Sequence, residues 1–180
     1  MPTGEPGAGV RADPIGAMEG SAEQPAYLHQ AVERLADALG ARLVGVVLYG
    51  SRGRGEAREA SDVDLLVLAH DLPARWYARA AYLHGILRSM SGAPPFSVLG
   101  RTPEEFERHF PSLYLDIGLD GRILYDRDGY TSCRLQRIRD IIAGAGLIRQ
   151  RAGPEMGWVW RNPPARPWEI TWAGFRELAG

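Results

Sequence analysis

The residues with the clearest chemical potential lie at the start of an apolar run. Asp62 and Asp64 are separated by one residue there. Because side chains alternate along a strand, both carboxylates are expected to project from the same face and to share a cation. Like charges at the rim of a buried sheet are costly, and a bound divalent metal is the simplest compensation. Mg²⁺ suits this pair because it favours carboxylate oxygens together with substrate phosphates.

The polar, glycine-rich loop that precedes these acids is predicted to hold phosphates. Gly50 lets the chain turn sharply and approach a ligand closely, while Ser51 offers a hydroxyl and a backbone N–H. Arg52 and Arg54 add positive charge suited to phosphate, and for Arg54 a role as a solvated loop charge carries equal weight. We predict a triphosphate site opposite the metal site, with four nucleotide-binding residues: Gly50, Ser51, Arg52 and Ser61.

Helices and strands must position this loop and these acids. Two apolar runs, 43–49 and 63–68, predict buried strands, which the short connection makes antiparallel. Helices are predicted over 28–39 and 76–87, after the N-cap Thr102, and from 135 to about 145; further strands are predicted at 96–99 and 122–125. Residues 110–121 are ambiguous. The order of elements predicts a mixed α/β protein with the sheet on one side and helices on the other.

Composition divides the chain into three segments. Residues 1–24 are rich in Gly and Pro and predict a disordered leader, followed by a catalytic domain over 25–128. The segment 129–180 is predicted to be a helical, Trp-rich extension, and it is locally basic, with eight Arg against four acidic residues. Its four tryptophans are expected to pack onto the domain in preference to stacking on nucleic-acid bases. The net charge of −1 argues against bulk coating of nucleic acid.

Location is indicated by what the sequence lacks. No apolar run approaches the roughly 20 residues of a membrane-spanning helix, and the N-terminus lacks the pattern of a secretory signal. Cys133 is the single cysteine, so an internal disulfide framework is excluded. We expect a cytoplasmic protein with no membrane association.

The string GSRGRGEAREASDVDLLV, residues 50–67, resembles the signature of the minimal nucleotidyltransferase branch of the DNA-polymerase-beta-like superfamily. The resemblance implies the nucleotidyltransferase fold over roughly residues 26–126. It also implies that Gly50 and Ser51 hold the triphosphate and that Asp62 and Asp64 bind magnesium. A nucleoside monophosphate, most simply AMP from ATP, would move to an acceptor hydroxyl with release of pyrophosphate. Members are often paired with a small helical partner protein, and some adenylylate a toxin, so a protein acceptor is expected.

One departure from the family pattern opens alternatives. Active members usually carry a third carboxylate on a later strand, where this sequence has Ser97. Asp116, embedded in apolar sequence, is the candidate substitute. The second hypothesis is therefore a catalytically impaired nucleotide-binding or antitoxin-like partner-binding module. The third is a nucleic-acid-binding protein that uses the basic, Trp-rich tail.

Overall fold

Six α-helices and four strands are interspersed along the described part of the chain up to Ala145, and two β-hairpins follow. The computed structural model describes residues 24–88, 90, 92–152 and 155–179, so the predicted leader lies outside the described residues except for Gln24. The helices are α1 (Ala26–Leu39), α2 (Gly50–Gly53), α3 (Trp76–Leu87), α4 (Pro103–Arg108), α5 (Leu113–Asp120) and α6 (Tyr130–Ala145). The strands are β1 (Leu43–Tyr49), β2 (Val63–Ala69), β3 (Phe96–Arg101), β4 (Arg122–Asp126), β5 (Leu147–Ala152), β6 (Glu155–Trp160), β7 (Trp168–Thr171) and β8 (Gly174–Glu177).

The central sheet has the strand order β3-β2-β1-β4. β1 pairs antiparallel with β2 and with β4, while β2 pairs parallel with β3. The antiparallel pairing of the first two strands confirms the prediction from their short connection. The parallel pair is joined by a crossover that contains α3, as parallel strands require. The sheet is therefore mixed, with two antiparallel pairings and one parallel pairing.

Helices cover both faces of the sheet, which corrects the two-layer arrangement expected from the sequence. On one face, α1 and α3 pack on the two central strands through a cluster that includes Leu28, Leu35, Val46, Leu65, Val67 and Leu83. On the other face, α4, α5 and α6 form a second cluster that includes Val47, Leu66, Leu68, Phe106, Ile117 and Ile138. The physical reason is that β1 and β2 are apolar at successive positions, so each needs cover on both faces.

The start of α4 confirms the capping motif predicted at Thr102. Its side chain accepts a hydrogen bond from the Glu105 backbone N–H, while the Glu105 carboxylate accepts one from the Thr102 N–H. The same carboxylate forms an ion pair with the buried guanidinium of Arg79 on α3. This hydrogen bond from Arg79 is the main reason why the pKa of Glu105 is lowered to about 2. Glu105 thus joins the cap of α4 to α3.

The replacement Glu105→Gln is expected to lower the free energy of unfolding by about 2 kcal/mol at pH 7. Arg79 would stay buried without its carboxylate, and the partial exposure of Glu105 reduces the cost below that of a fully buried pair. Because the folded-state pKa is lowered, the stabilisation is present above the ordinary pKa and is lost as the pH falls towards about 2. Urea unfolding between pH 2 and 7 should therefore show a weaker pH dependence for the variant, and Asp37→Asn, at an exposed acid on α1, should behave like wild type.

The C-terminal extension is helical only in its first part. The predicted helix is confirmed as α6, and the ambiguous segment before it contains the helix α5. Beyond Gly146 the extension consists of the hairpins β5–β6 and β7–β8, which the sequence did not predict. α6 packs in the same cluster as α4 and α5, so the division proposed after residue 128 crosses continuous packing. A domain boundary after residue 128 remains a proposal.

The tail tryptophans pack as expected. The indole N–H of Trp172 donates to the carbonyls of Phe106 and His109, and its ring lies 5.2 Å from that of Phe106. The ring of Trp160 lies 5.0 Å from Trp168, which connects the two hairpins. Trp172 therefore holds the tail on the domain, while Trp160 and the exposed Trp168 pack within the tail itself.

Candidate active site

The register of the sheet brings a tyrosine, an acid and a serine side by side at one end. Tyr49 of β1 is opposite Asp64 of β2, and Asp64 is opposite Ser97 of β3. Asp62 directly precedes β2, and strand alternation places it on the same face as Asp64. Further along this face, Leu66 is covered by α4, α5 and α6. The predicted pair of acids lies where the covered face reaches solvent, since Asp62 is exposed and Asp64 is half-buried.

The surroundings of Asp64 disfavour its charge. Burial is the main cause of its raised pKa, and the negative charge of Asp62 acts in the same direction. A hydrogen bond from the Ser97 hydroxyl and the positive charge of Arg54 oppose this shift without cancelling it. A half-buried carboxylate beside a second acid is stabilised by a cation, which makes this the chemically favourable place for one.

The chemistry of Asp62 and Asp64 is compatible with Mg²⁺ that is bound together with substrate phosphates. Within the described residues, no group of three or more His, Cys, Asp or Glu side chains forms a complete metal site. Mg²⁺ does not require one, because it keeps several waters and takes one or two carboxylates together with substrate phosphates. Asp62 and Asp64 are two carboxylates of the type that Mg²⁺ takes together with a nucleotide, and their binding of the ion remains a prediction.

Gly50 fits closely against the Asp64 side chain. Its φ of 68° lies in the left-handed region, which glycine adopts without steric cost. A Cβ placed on Gly50 would collide with Oδ2 of Asp64 and lie 3.0 Å from its Cγ. The backbone therefore turns from β1 directly over the acid and starts the short helix α2, which contains Ser51. Only glycine combines this conformation with this contact.

Arg52 holds the loop that joins α2 to the acid pair. Its guanidinium donates to the carbonyl of Ser61 at 2.7 and 3.0 Å and to the carbonyl of Asp62 at 3.2 Å. It also donates to the Tyr27 hydroxyl at 3.0 Å, which anchors the loop on α1. The structure gives Arg52 a positioning role, and direct contact with a nucleotide remains a prediction.

Ser61 stabilises a turn immediately before the acids. Its hydroxyl accepts a hydrogen bond from the Arg58 backbone N–H at 2.9 Å, and its own N–H donates to the Arg58 carbonyl at 3.0 Å. Its carbonyl is the main acceptor for Arg52. The loop geometry thus depends on Ser61, and its predicted contact with a nucleotide remains untested.

The two positions considered for a third carboxylate have different partners. Ser97 lies beside Asp64, where it supplies a hydroxyl hydrogen bond. Asp116 on α5 accepts a hydrogen bond from the indole N–H of Trp158 at 3.2 Å and lies 3.5 Å from the Arg149 guanidinium. The contacts of Asp116 are therefore with the β5–β6 hairpin.

Two features near the site escaped the sequence reasoning. Tyr49 is opposite Asp64, and burial, together with the charge of Asp64, raises the pKa of its phenol to about 12. The phenol therefore stays neutral at physiological pH. The β5–β6 hairpin reaches the loop after α2 through an ion pair between Arg151 and Glu56, at 2.9 Å. Long-range pairing of this kind leaves no signature in local sequence spacing.

The segment that contains the site matches the model of a known protein family. The family model described as "Nucleotidyltransferase domain" matches residues 28–117, which are 90 of the 180 residues and run from α1 into α5. The chain belongs to this nucleotidyltransferase family and has its fold, and it is a nucleotidyltransferase. The match contains the whole segment from Gly50 to Asp64.

A curated relative and several solved structures are similar to this chain. A protein of Methanocaldococcus jannaschii named "Putative protein adenylyltransferase MJ1305" is 32% identical over 118 residues, which are 64% of this chain and 80% of that protein. A structure of tri-AMPylated Shewanella oneidensis HEPN toxin in complex with MNT antitoxin contains a chain 18% identical, with a TM-score of 0.45, covering 66% of this chain and 85% of that one. A toxin–antitoxin structure with AMP-PNP is 19% identical, with a TM-score of 0.44, and covers 63% and 86%.

Proposed function

We propose that this chain transfers AMP from ATP to a hydroxyl group on a protein, with Mg²⁺ held by Asp62 and Asp64. The observation that carries the proposal is the contact between the Gly50 backbone and the Asp64 carboxylate. It places the first turn of α2 directly beside the acid pair. This closeness supports a phosphate site next to the site of its counter-ion.

The residues of this chain have distinct tasks in the proposed reaction. Ser51 and the backbone N–H groups at the start of α2 bind phosphate oxygens, because the first turn of a helix leaves its N–H groups without intrahelical partners. Asp62 and Asp64 hold the metal, which when bound supplies charge neutralisation at the phosphates. Arg52 and Ser61 keep the loop in place around both groups.

The chemical step is a displacement at the α-phosphorus of ATP. The acceptor oxygen forms a bond to this phosphorus, the bond to the β-phosphate oxygen breaks, and pyrophosphate leaves with that electron pair. The acceptor hydroxyl loses its proton to solvent or to a carboxylate in the site. Positioning and charge neutralisation supply most of the rate enhancement in reactions of this class.

The acceptor and the location follow from separate observations. The name of the M. jannaschii relative supports a protein acceptor, and a small helical partner or toxin protein is the acceptor that the family resemblance favours. None of the helices in the described ranges is long and apolar enough to cross a membrane. We infer a cytoplasmic enzyme, since a single cysteine fits a reducing compartment.

The proposal is tested with α-labelled ATP, Mg²⁺ and a protein extract from the source cells. Wild type should label one or a few protein bands, Asp62→Asn should label none above background, and addition of EDTA should abolish the wild-type signal. Asp37→Asn is the matched control, since Asp37 is an exposed acid on α1 outside the site. Label on nucleic acid or on small molecules alone would contradict the protein acceptor, and labelling by Asp62→Asn would contradict the assigned site.

A further inference from the structure

The C-terminal end of α2 packs against the C-terminal end of α5. A Cβ on Gly53, the last residue of α2, would lie 3.3 Å from the carbonyl oxygen of Asp120 and 3.2 Å from that of Leu48. The next residue, Arg54, has its guanidinium 3.9 Å from the Asp120 carboxylate. The short helix that contains Ser51 is therefore in contact, at its C-terminal end, with Asp120, the last residue of α5.

The carboxylate of Asp120 is held in turn by the β5–β6 hairpin. Arg149 makes a two-pronged ion pair with it, in which the second hydrogen bond measures 2.8 Å. Only 11% of the Asp120 side chain and 12% of the Arg149 side chain are exposed. Arg149 also lies 3.5 Å from Asp116. Because this pair is shielded from water, its geometry is more sharply defined than that of a surface pair.

A second, exposed ion pair joins the hairpin to the same loop. Arg151 donates to Glu56 at 2.9 Å, and Arg54 contacts the other oxygen of Glu56 at 3.0 Å. The two pairs define a charged cluster of three Arg and three acidic residues, which are Arg54, Glu56, Asp116, Asp120, Arg149 and Arg151. The cluster connects the segment directly after α2 to the C-terminal hairpin at two points.

We propose that Asp120 is a positioning residue for nucleotide binding, and that the β5–β6 hairpin, through the charged cluster, is a structural part of the nucleotide site. The inference rests on the proposed function, because it assumes that the turn beginning at Gly50 receives the triphosphate. Asp120 acts through Gly53 and Arg54, and it does not itself contact the nucleotide. The hairpin lies far along the chain from the family signature, so this role is not contained in the match over residues 28–117.

The charges of the cluster explain why the arginines are needed. Two acids of α5 lie close to a turn that is proposed to bind a polyanion, and by themselves they would repel it. Arg149 pairs with both Asp116 and Asp120, and Arg54 brings a further positive charge near Asp120, so that the six charges of the cluster sum to zero. The cluster therefore removes an electrostatic penalty and fixes the turn at the same time.

The first test removes the charge of Asp120 without changing its volume. We expect Asp120→Asn to raise the KM for ATP about tenfold while kcat changes by less than about threefold, because binding of the triphosphate and not the chemical step depends on the turn. Equilibrium binding of a fluorescent ATP analogue should weaken by a similar factor. Circular dichroism at the assay temperature confirms that the variant is folded, and a folded variant with unchanged KM and unchanged binding would overturn the inference.

The second test uses an exposed pair whose loss does not threaten folding. Arg151→Gln should raise the KM for ATP about threefold, as expected for an exposed ion pair. Its matched control is Arg176→Gln, because Arg176 is also an exposed tail arginine in an ion pair, with Glu169 at 2.6 Å, away from the loop. Equal KM values for both variants and wild type would count against the inference even if Asp120→Asn failed to fold.

The same measurements separate this inference from the proposed function. Wild type that binds no ATP analogue would refute the proposed function, and the inference with it. Wild type that binds and transfers, with both the Asp120 and the Arg151 variants behaving normally, would refute the inference alone.

Discussion

Replacing Gly50 by alanine is expected to reduce nucleotidyl transfer at least about 100-fold. The new Cβ would collide with Oδ2 of Asp64, and the residue would also have to keep a φ of 68°, which costs an L-residue about 1–2 kcal/mol. The turn and the acid must then move apart. A displacement of about 1 Å in a site that works by positioning is enough for a loss of this size.

A nearby glycine provides a control for the strain alone. Gly55 has a φ of 73°, and a Cβ placed on it would meet no atom within 4 Å. Gly55→Ala therefore carries the same backbone cost without the collision, and we expect a small loss of stability with transfer activity close to wild type. Steady-state transfer of labelled AMP and thermal unfolding check both variants. Equal losses of activity in the two would show that backbone strain, and not the contact with Asp64, limits the reaction.

The replacement Asp64→Asn is expected to abolish transfer and to stabilise the fold. Loss of a metal-binding carboxylate should lower the rate by about 10³-fold. The folded protein raises the pKa of Asp64 through burial and the charge of Asp62, so the ionised form is disfavoured by folding. The ordinary pKa of an aspartate side chain is 3.8, and well below this pH the carboxyl group is protonated in both the folded and the unfolded protein. The destabilisation by the ionised carboxylate therefore develops as the pH rises above 3.8. At pH 7 the melting temperature of the variant should thus exceed that of wild type, by on the order of 2 °C.

Magnesium should reverse this order. Wild type gains stability when the cation neutralises its carboxylates, whereas Asp64→Asn lacks one of them. We expect Mg²⁺ with a non-hydrolysable ATP analogue to raise the melting temperature of wild type above that of the variant. Differential scanning calorimetry at pH 3 and pH 7, with and without these ligands, measures both effects. A variant that is less stable than wild type at pH 7 without ligand would contradict the electrostatic interpretation of Asp64.

The parts of the fold that carry local signals could be predicted from the sequence. The apolar runs around Val46 and Leu66 predict strands because each is continuous, and the cap at Thr102 is recognisable because its partners are three residues apart. The two acids were located by the same local logic, since alternation along a strand is independent of the remaining fold. The short connection between the first two strands also determined their antiparallel pairing.

Other features depend on contacts between distant residues. The continuous burial of β1 and β2 requires helices on both faces, but the sequence does not state which helix packs on which face. The partners of Arg52 are carbonyl groups of a loop, which become acceptors only when that loop is folded. Arg149 pairs with Asp120, which lies 29 positions earlier in the chain. Arg149 itself is part of a hairpin whose strands show no clear alternation of polar and apolar residues. Side-chain identity indicated the charge of these residues, and only the tertiary structure indicated their partners.

The most direct measurement of the central claim is a comparison of ATP labelled at the α-phosphate with ATP labelled at the γ-phosphate. The two are incubated separately with the protein, Mg²⁺ and the acceptor-containing extract, and the released pyrophosphate is quantified. Nucleotidyl transfer predicts acid-stable label from the α-position only, one pyrophosphate for each label transferred, and loss of both signals in Asp64→Asn. Transfer of label from the γ-position would contradict the claim. So would binding of ATP by wild type without any release of pyrophosphate in the presence of the extract.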